Sequence, residues 1–475
     1  MAHQTAILSQ NVGWVLLAIL SHFLDCPGHL LGQKAKDMEG FMLAGRNVGL
    51  ALGAATAMAT WVTSNTTMLA PQFALQLGVW GMLAYSTASF GLFMFAPLAK
   101  RIKGLMPTGY TSGDFIRLRY GKRAWLLFLI ISIFYGVTWM ISMGMAGGIL
   151  MNAITGIPYV YGMSVILLVC VIYTLFGGLY AVIGTDFIQS LIILIGIVAV
   201  GAGILMNTDM TQVHTDLQKT APCSSTSYCL RRLWHFLTTC CLVSAKFFIA
   251  TCGGAGFSRC GRMWDESIFV GRIILLPVPV AAGYFALSSG ILGINITSPD
   301  MVSPLIASQL LGEIGSVIVF VVLFCSLASS IDSLLAATSD LVTEDIYKKW
   351  LRPDTSPEKL RKMSAWIIVF IGVLTWLICL PRVGTLADVL FFAGPMVGST
   401  IWPIVTGLYW RKASATGAFW GMLLGSLCGL VSYFELGWYT SSLIGAAVSM
   451  IVVIIARVVS KTSFDWKDLN EASNH

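Results

Sequence analysis

Apolar runs long enough to cross a bilayer recur from one end of this chain to the other. About 20 such residues span the hydrocarbon core as a helix. In lipid, only helices and closed barrels satisfy their own backbone groups. The runs are continuous rather than alternating, which excludes a barrel. Candidate spans lie near 10–27, 47–70, 75–99, 123–150, 158–180, 182–206, 231–251, 269–293, 313–341, 363–381, 385–408, 413–434 and 439–459. The chain is therefore expected to be an all-α polytopic membrane protein of about 13 transmembrane helices. Composition agrees. Only 11% of its 475 residues are charged and 56% are hydrophobic, against roughly 25% charged in a soluble domain. The run at Val12–Leu24 has no basic stretch before it and no small-residue cleavage site after it, so it reads as a span rather than a signal peptide.

Basic residues set the orientation. Lys100, Arg101, Lys103, Arg117, Arg119, Lys122 and Arg123 share the loop 100–123 with one Asp114. Lys348, Lys349, Arg352, Lys359, Arg361 and Lys362 share 344–362. Lys34, Lys36 and Arg46 precede the second span, and Arg411 and Lys412 precede the twelfth. With thirteen spans all four loops fall on one side, which is cytoplasmic. The amino terminus is then outside and the carboxyl terminus inside. The net charge of +7 belongs to these loops, so nucleic acid is not an expected partner.

Polar groups inside spans are costly and tend to mark pathways. Thr60, Thr63, Ser64, Asn65, Thr66 and Thr67 sit in the second span, before Pro71. They read either as an unwound helix whose carbonyls bind a cation or as back-bonded hydroxyls at a helix contact. Gly177 and Gly178 allow a tight turn between the fifth and sixth spans, and Asp186 follows at the start of the sixth. Asp186 also fits a helix N-terminus favoured by the dipole. The ninth span holds Ser326, Ser329, Ser330, Asp332, Ser333, Thr338, Ser339 and Asp340. Hydroxyl and carboxylate oxygens suit a hard cation and serve zinc or copper poorly. Gly394, Pro395 and Gly398 make a candidate hinge in the eleventh span. No nucleophile–base pair, phosphate loop, metal-ligand cluster or cysteine spacing for zinc or disulfides stands out. An enzyme with a resident cofactor is not expected.

Four stretches resemble the sodium:solute symporter family: FMLAGRNVG at 41–49, ATWVTSNTT at 59–67, GGLYAVIGTDFIQ at 177–189 and SLASSIDSLLAATSDLVTEDIYKK at 326–349. The last two look most like its urea active transporter branch. The resemblance implies a LeuT-type fold of two inverted five-helix repeats, with substrate and ion sites at their interface. Residues 1–46 would hold the first span and a cytoplasmic loop, 47–206 the first repeat, 207–408 the second, and 409–475 two peripheral helices and a tail. The resemblance places sodium on the carbonyls of Thr63, Thr66 and Ser326 and the hydroxyls of Ser329 and Ser330. It gives Asp186 a part in sodium coupling or a second ion. Asp332 departs from the hydroxyl often found there in sugar-transporting members, and suggests a second cation, a proton or a solute contact. Asn65, Thr67 and Gln72 stand where solute contacts are expected. The implied protein is a multi-pass plasma (inner) membrane importer of a small polar solute, urea foremost, driven by sodium.

Residues 217–268 break the pattern. Cys223, Cys229, Cys240, Cys241, Cys252 and Cys260 fall there, and Arg231, Arg232, Lys246, Arg259 and Arg262 interrupt the seventh span. Such a mixture suggests translation in a shifted frame, restored near 268. The remaining alternatives are a proton-coupled importer of a small carboxylate or amine, an inactive product of a frameshifted gene, and a membrane sensor on the same fold. The sensor is disfavoured because only about fifteen residues follow the last span.

Overall fold

The computed structural model describes residues 7–32, 55, 59, 62–86, 97–98, 100–102, 104–106, 111–207, 209, 211, 277–287, 298–460, 463–466 and 469. The side chains of Ser64, Asn65 and 176–181 lie outside that description. So do the seventh span, part of the third and the cysteine-rich segment.

The described helices are α1 (Gln10–Gly32), α2 (Ser64–Leu77), α3 (Val79–Ser86), α4 (Ser112–Tyr120), α5 (Lys122–Thr155), α6 (Tyr159–Asn207), α7 (Pro277–Leu287), α8 (Val302–Leu341), α9 (Pro357–Cys379), α10 (Leu386–Phe392), α11 (Gly394–Tyr409), α12 (Ala415–Leu436) and α13 (Trp438–Val459). A π-helical turn, Val342–Leu351, extends α8. Among the described residues, seven helices are long and apolar enough to cross a membrane. Helix numbers are not crossing numbers. The nine-residue α4 is too short to cross, and α10 and α11 together form one spanning stretch.

At 1.5 Å per residue a straight α6 would be about 74 Å long, over twice the roughly 30 Å hydrocarbon core. Its neighbours show that it doubles back. Tyr159 donates its hydroxyl to the Cys379 carbonyl at 2.9 Å, and Val171 packs on Gly372, so the first arm runs antiparallel to α9. Asp186 meets Ser329, Gly196 meets Val322, and Gly203 meets Leu311, so the second arm runs antiparallel to α8. Helices α8 and α9 are themselves joined through the basic 344–362 loop. Residues 159 and 203 therefore share the far face, and the chain reverses between Val171 and Asp186. The predicted turn residues, Gly177 and Gly178, fall in that interval, among side chains outside the description.

The two faces have opposite character. On one, Lys349 pairs with Asp114 and, at 2.8 Å, with Asp345. Thr111 donates to Asp345 at 2.6 Å. Arg101 and Arg119 donate to the Leu408, Gly407 and Trp410 carbonyls, capping the C-terminal end of α11. Trp466 also reaches the Gly407 carbonyl. On the other face, the Leu8 amide donates to the Ile154 carbonyl and Gln10 to that of Gly156. Arg382 pairs with Asp300 there at 3.3 Å. The basic face is cytoplasmic. Residues 464–466 lie at this basic face and residues 8–13 at the opposite one.

One predicted boundary moves. The second span was expected to end at 70, before Pro71. Instead α2 runs through Pro71 and stops at Gly78, whose φ of 68° glycine adopts at no steric cost. Gly81 then lies directly against the Phe73 backbone. The proline marks no boundary because the turn needs a residue without Cβ. The ninth span begins as predicted, immediately after Gly312, where φ is 66° inside an otherwise helical run.

Helices α11, α12 and α13 pack through small residues. A Cβ at Gly398 would lie 2.7 Å from the Ser442 carbonyl, and one at Gly425 would lie 2.6 Å from that of Gly445. Such close backbones are how helices associate where lipid removes the hydrophobic drive. Ser449 donates to the Ser399 carbonyl at 2.6 Å, and Ser399 bonds Ser426 at 3.0 Å. Trp366, Phe370, Val373 and Leu377, at helical spacing on α9, face outward as a lipid-contacting stripe.

Candidate functional site

The second span is broken where its hydroxyls cluster. Ala55 and Ala59 are helical, Val62 is bent, and Thr63 is extended at φ −89°, ψ 168°. Helix α2 restarts from Thr63, whose hydroxyl accepts from the Thr66 amide while Thr66 returns the bond to the Thr63 amide. This reciprocal cap satisfies amides that a mid-membrane restart exposes. The Thr63 carbonyl accepts the Thr67 amide at 3.2 Å and the Thr67 hydroxyl at 3.3 Å. Its two lone pairs are thus in use, so a cation claiming this oxygen must displace the Thr67 hydroxyl. Thr63, Thr66, Thr67 and Gln72 are all buried. Gln72 Oε1 has no hydrogen-bond partner among the described residues. Asn65 is the second residue of α2, and its side chain lies outside the description.

Helix α2 packs against α8, which carries the other half of the predicted set. Ser326, Ser329, Ser330 and Asp332 are all buried. Ser330 donates its hydroxyl to the Ser326 carbonyl at 2.9 Å, so two of the expected cation ligands engage each other. Ser329 donates to Asp186 Oδ1 at 2.6 Å across 143 residues of chain. This bond is short because its acceptor is ionisable and enclosed. It also turns the Ser329 proton towards Asp186, which leaves the hydroxyl oxygen's lone pairs for another ligand. The Ser333 amide donates to Asp332 Oδ1, while Asp332 Oδ2 has no partner among the described residues.

One buried group went unassigned in the sequence. Gln189 is fully enclosed, and neither its Oε1 nor its Nε2 has a partner among the described residues. The available signal was spacing, since Gln189 lies three residues from Asp186 and so on the same helical face. Among the described residues no group of three His, Cys, Asp or Glu could hold a metal ion. The oxygens here are mostly neutral, as suits a monovalent hard cation.

These elements are shared with known transporters. The sodium:solute symporter family model matches residues 41–248 and 259–425. The chain is 27% identical to a urea-proton symporter of Oryza sativa subsp. japonica, over 89% of this chain and 65% of that protein. It is also 27% identical to the osmoregulated proline transporter OpuE of Bacillus subtilis, over 90% and 91%. A Na+-coupled sialic acid symporter, solved substrate-bound and outward-open, superposes with a TM-score of 0.79 over 95% of this chain and 98% of that one, at 16% identity. The fold is the LeuT type, and these relatives are transporters rather than enzymes. The chain is a multi-pass membrane protein, and the plasma membrane is the usual home of such transporters. With most of its length matched, its helices antiparallel as described and its polar stretches facing one another, it belongs to the sodium:solute symporter family.

Proposed function

We propose that this protein imports a small polar solute, urea foremost, by sodium-coupled symport. The observation that carries the reading is the Ser329–Asp186 bond. It joins the two stretches most specific to the family and places a carboxylate beside the hydroxyls of α8. Sodium is held between the broken second span (Thr63, Thr66) and α8 (Ser326, Ser329, Ser330). Asp186 acts on that cage through Ser329. Asn65, Thr67 and Gln72 line the solute side. Both ligands favour the occluded state, so each raises the other's affinity. The membrane potential adds about 2.3 kcal/mol per charge per 100 mV. The chain spans 65% of the rice relative's length, and relatives carry different solutes, so urea rests on the branch resemblance.

A second reading replaces sodium by a proton. It is favoured by Asp332, enclosed with one oxygen unpartnered among the described residues. The rice relative is also named a urea-proton symporter. Labelled urea uptake into vesicles decides between them, with sodium and pH gradients imposed separately. Sodium-driven uptake supports the first reading, and uptake driven only by a proton gradient supports the second.

The family match is interrupted at 249–258, inside the stretch 217–268 read as frameshifted. We read that stretch as a local frame error between two intact parts. Resequencing should find a paired insertion and deletion, and the frame-corrected gene is the one to assay if the present chain is inactive.

A further inference from the structure

We propose that the segment following α13 is a cytoplasmic strap, which holds the 100–123 loop on the end of α11 and must lift before the protein opens inward. Ser463, Phe464, Asp465 and Trp466 alternate polar with aromatic, so an extended backbone turns both rings to one side. That side meets protein. Phe464 and Trp466 are partly buried, Ser463 and Asp465 are exposed, and Leu469 is fully enclosed. The Phe464 amide donates to the Arg411 carbonyl at 2.9 Å, and the Trp466 indole to that of Gly407 at 3.3 Å. The two rings lie against two arginines of the loop. Arg119 sits 4.3 Å from the centre of the Phe464 ring, and Arg101 5.0 Å from that of Trp466. These same arginines hold the loop to α11. Arg101 donates to the Leu408 carbonyl at 2.7 Å, and Arg119 to those of Gly407 and Trp410 at 3.2 and 3.0 Å.

The helix end does not depend on the strap for its hydrogen bonds, because the Gly407 carbonyl accepts from Arg119 as well as from Trp466. What the rings add is a cover over the guanidinium planes. Covered, the arginine hydrogen bonds lie out of water and strengthen; uncovered, water competes for the same donors. Strap and loop thus form one coupled closure at the cytoplasmic end of α11. In a transporter of this fold, inward opening parts elements at this face while the outer face closes. The strap acts on that step, whichever ion or solute is carried.

Hydrogen–deuterium exchange of the purified full chain in detergent tests this. Wild type is compared with the double variant Phe464→Ala, Trp466→Ala and with Trp466→Phe. In the double variant the amides of α4 and of the last turn of α11 should exchange about tenfold faster. The 298–301 turn and α10, at the outer face, should become more protected. Trp466→Phe keeps a ring over Arg101 and should stay close to wild type. The protection gained at the outer face is the decisive sign, because a loss of local packing has no means of tightening the far side of the membrane. An outer face that exchanges as in wild type overturns the inference, however much the strap itself loosens. A double variant that fails to fold overturns it too, since the segment is then fixed structure. So does a Trp466→Phe chain that matches the double variant, because the ring is then not what closes the junction.

Discussion

Two buried regions of this protein use hydroxyl side chains to opposite ends. In the α11–α12–α13 cluster, Ser399, Ser426 and Ser449 bond one another or nearby carbonyls, between helices held close by Gly398, Gly425 and Gly445. Along the α6–α8 contact, Ser329 bonds a carboxylate, and Gln189 and Asp332 keep polar atoms without partners among the described residues. The first arrangement is closed and explains itself as packing, apart from Ser442 and Thr440 near the outer end of α13. The second is open and costs stability unless something visits it. Residue type does not separate the two regions, but completeness of hydrogen bonding does.

The comparison breaks most visibly if the closed region tolerates bulk. Gly398→Leu drives a side chain into the Ser442 carbonyl and should cost at least about 3 kcal/mol, or prevent folding. Detergent-solubilised thermal unfolding reads this directly. In the open region Asp186→Ala should instead leave a folded protein whose uptake falls roughly a hundredfold, as expected for losing a charge-assisted partner worth about 1.5–3 kcal/mol. Uptake at equal membrane abundance measures it, and a variant of unchanged rate would make the Ser329–Asp186 bond mere packing.

Asp332→Asn sharpens the contrast further. If this carboxyl carries the coupling proton, the variant's uptake should lose its dependence on pH, with folding intact. An unaltered pH profile assigns Asp332 to the sodium mechanism or to structure. The smallest effect belongs to Ser399→Ala. Two neutral bonds are lost, to the Met396 carbonyl and to Ser426, about 1–2 kcal/mol of stability, and transport per folded molecule should be unchanged. A change in sodium dependence there would erase the distinction between the regions.

Much of this was legible in the sequence. Spans and the shared face of the basic loops follow from apolar run length and loop charge, each of which acts locally. The break in the second span was also visible, as a crowd of hydroxyls where a helix has no use for them. What remained hidden depends on which helices touch. Nothing near Lys349 points to Asp114, and nothing near Ser329 points to Asp186, because tertiary packing alone brings such distant segments together. Gln189 was overlooked for the same reason. On its own helix it is one polar residue among many, and its isolation shows only once its neighbours are placed.

The doubly used Thr63 carbonyl has a consequence in time. Its second partner is a hydroxyl on a single rotatable bond, so clearing it for an ion takes one side-chain rotation rather than any unwinding. Rotamer changes belong to the fast end of protein motion, whereas shifting α2 against α8 belongs to the microsecond–millisecond range. In the proposed cage the ion would therefore settle quickly and the helices follow slowly. Turnover should then be limited by the swing of the bundle rather than by the arrival of the ion.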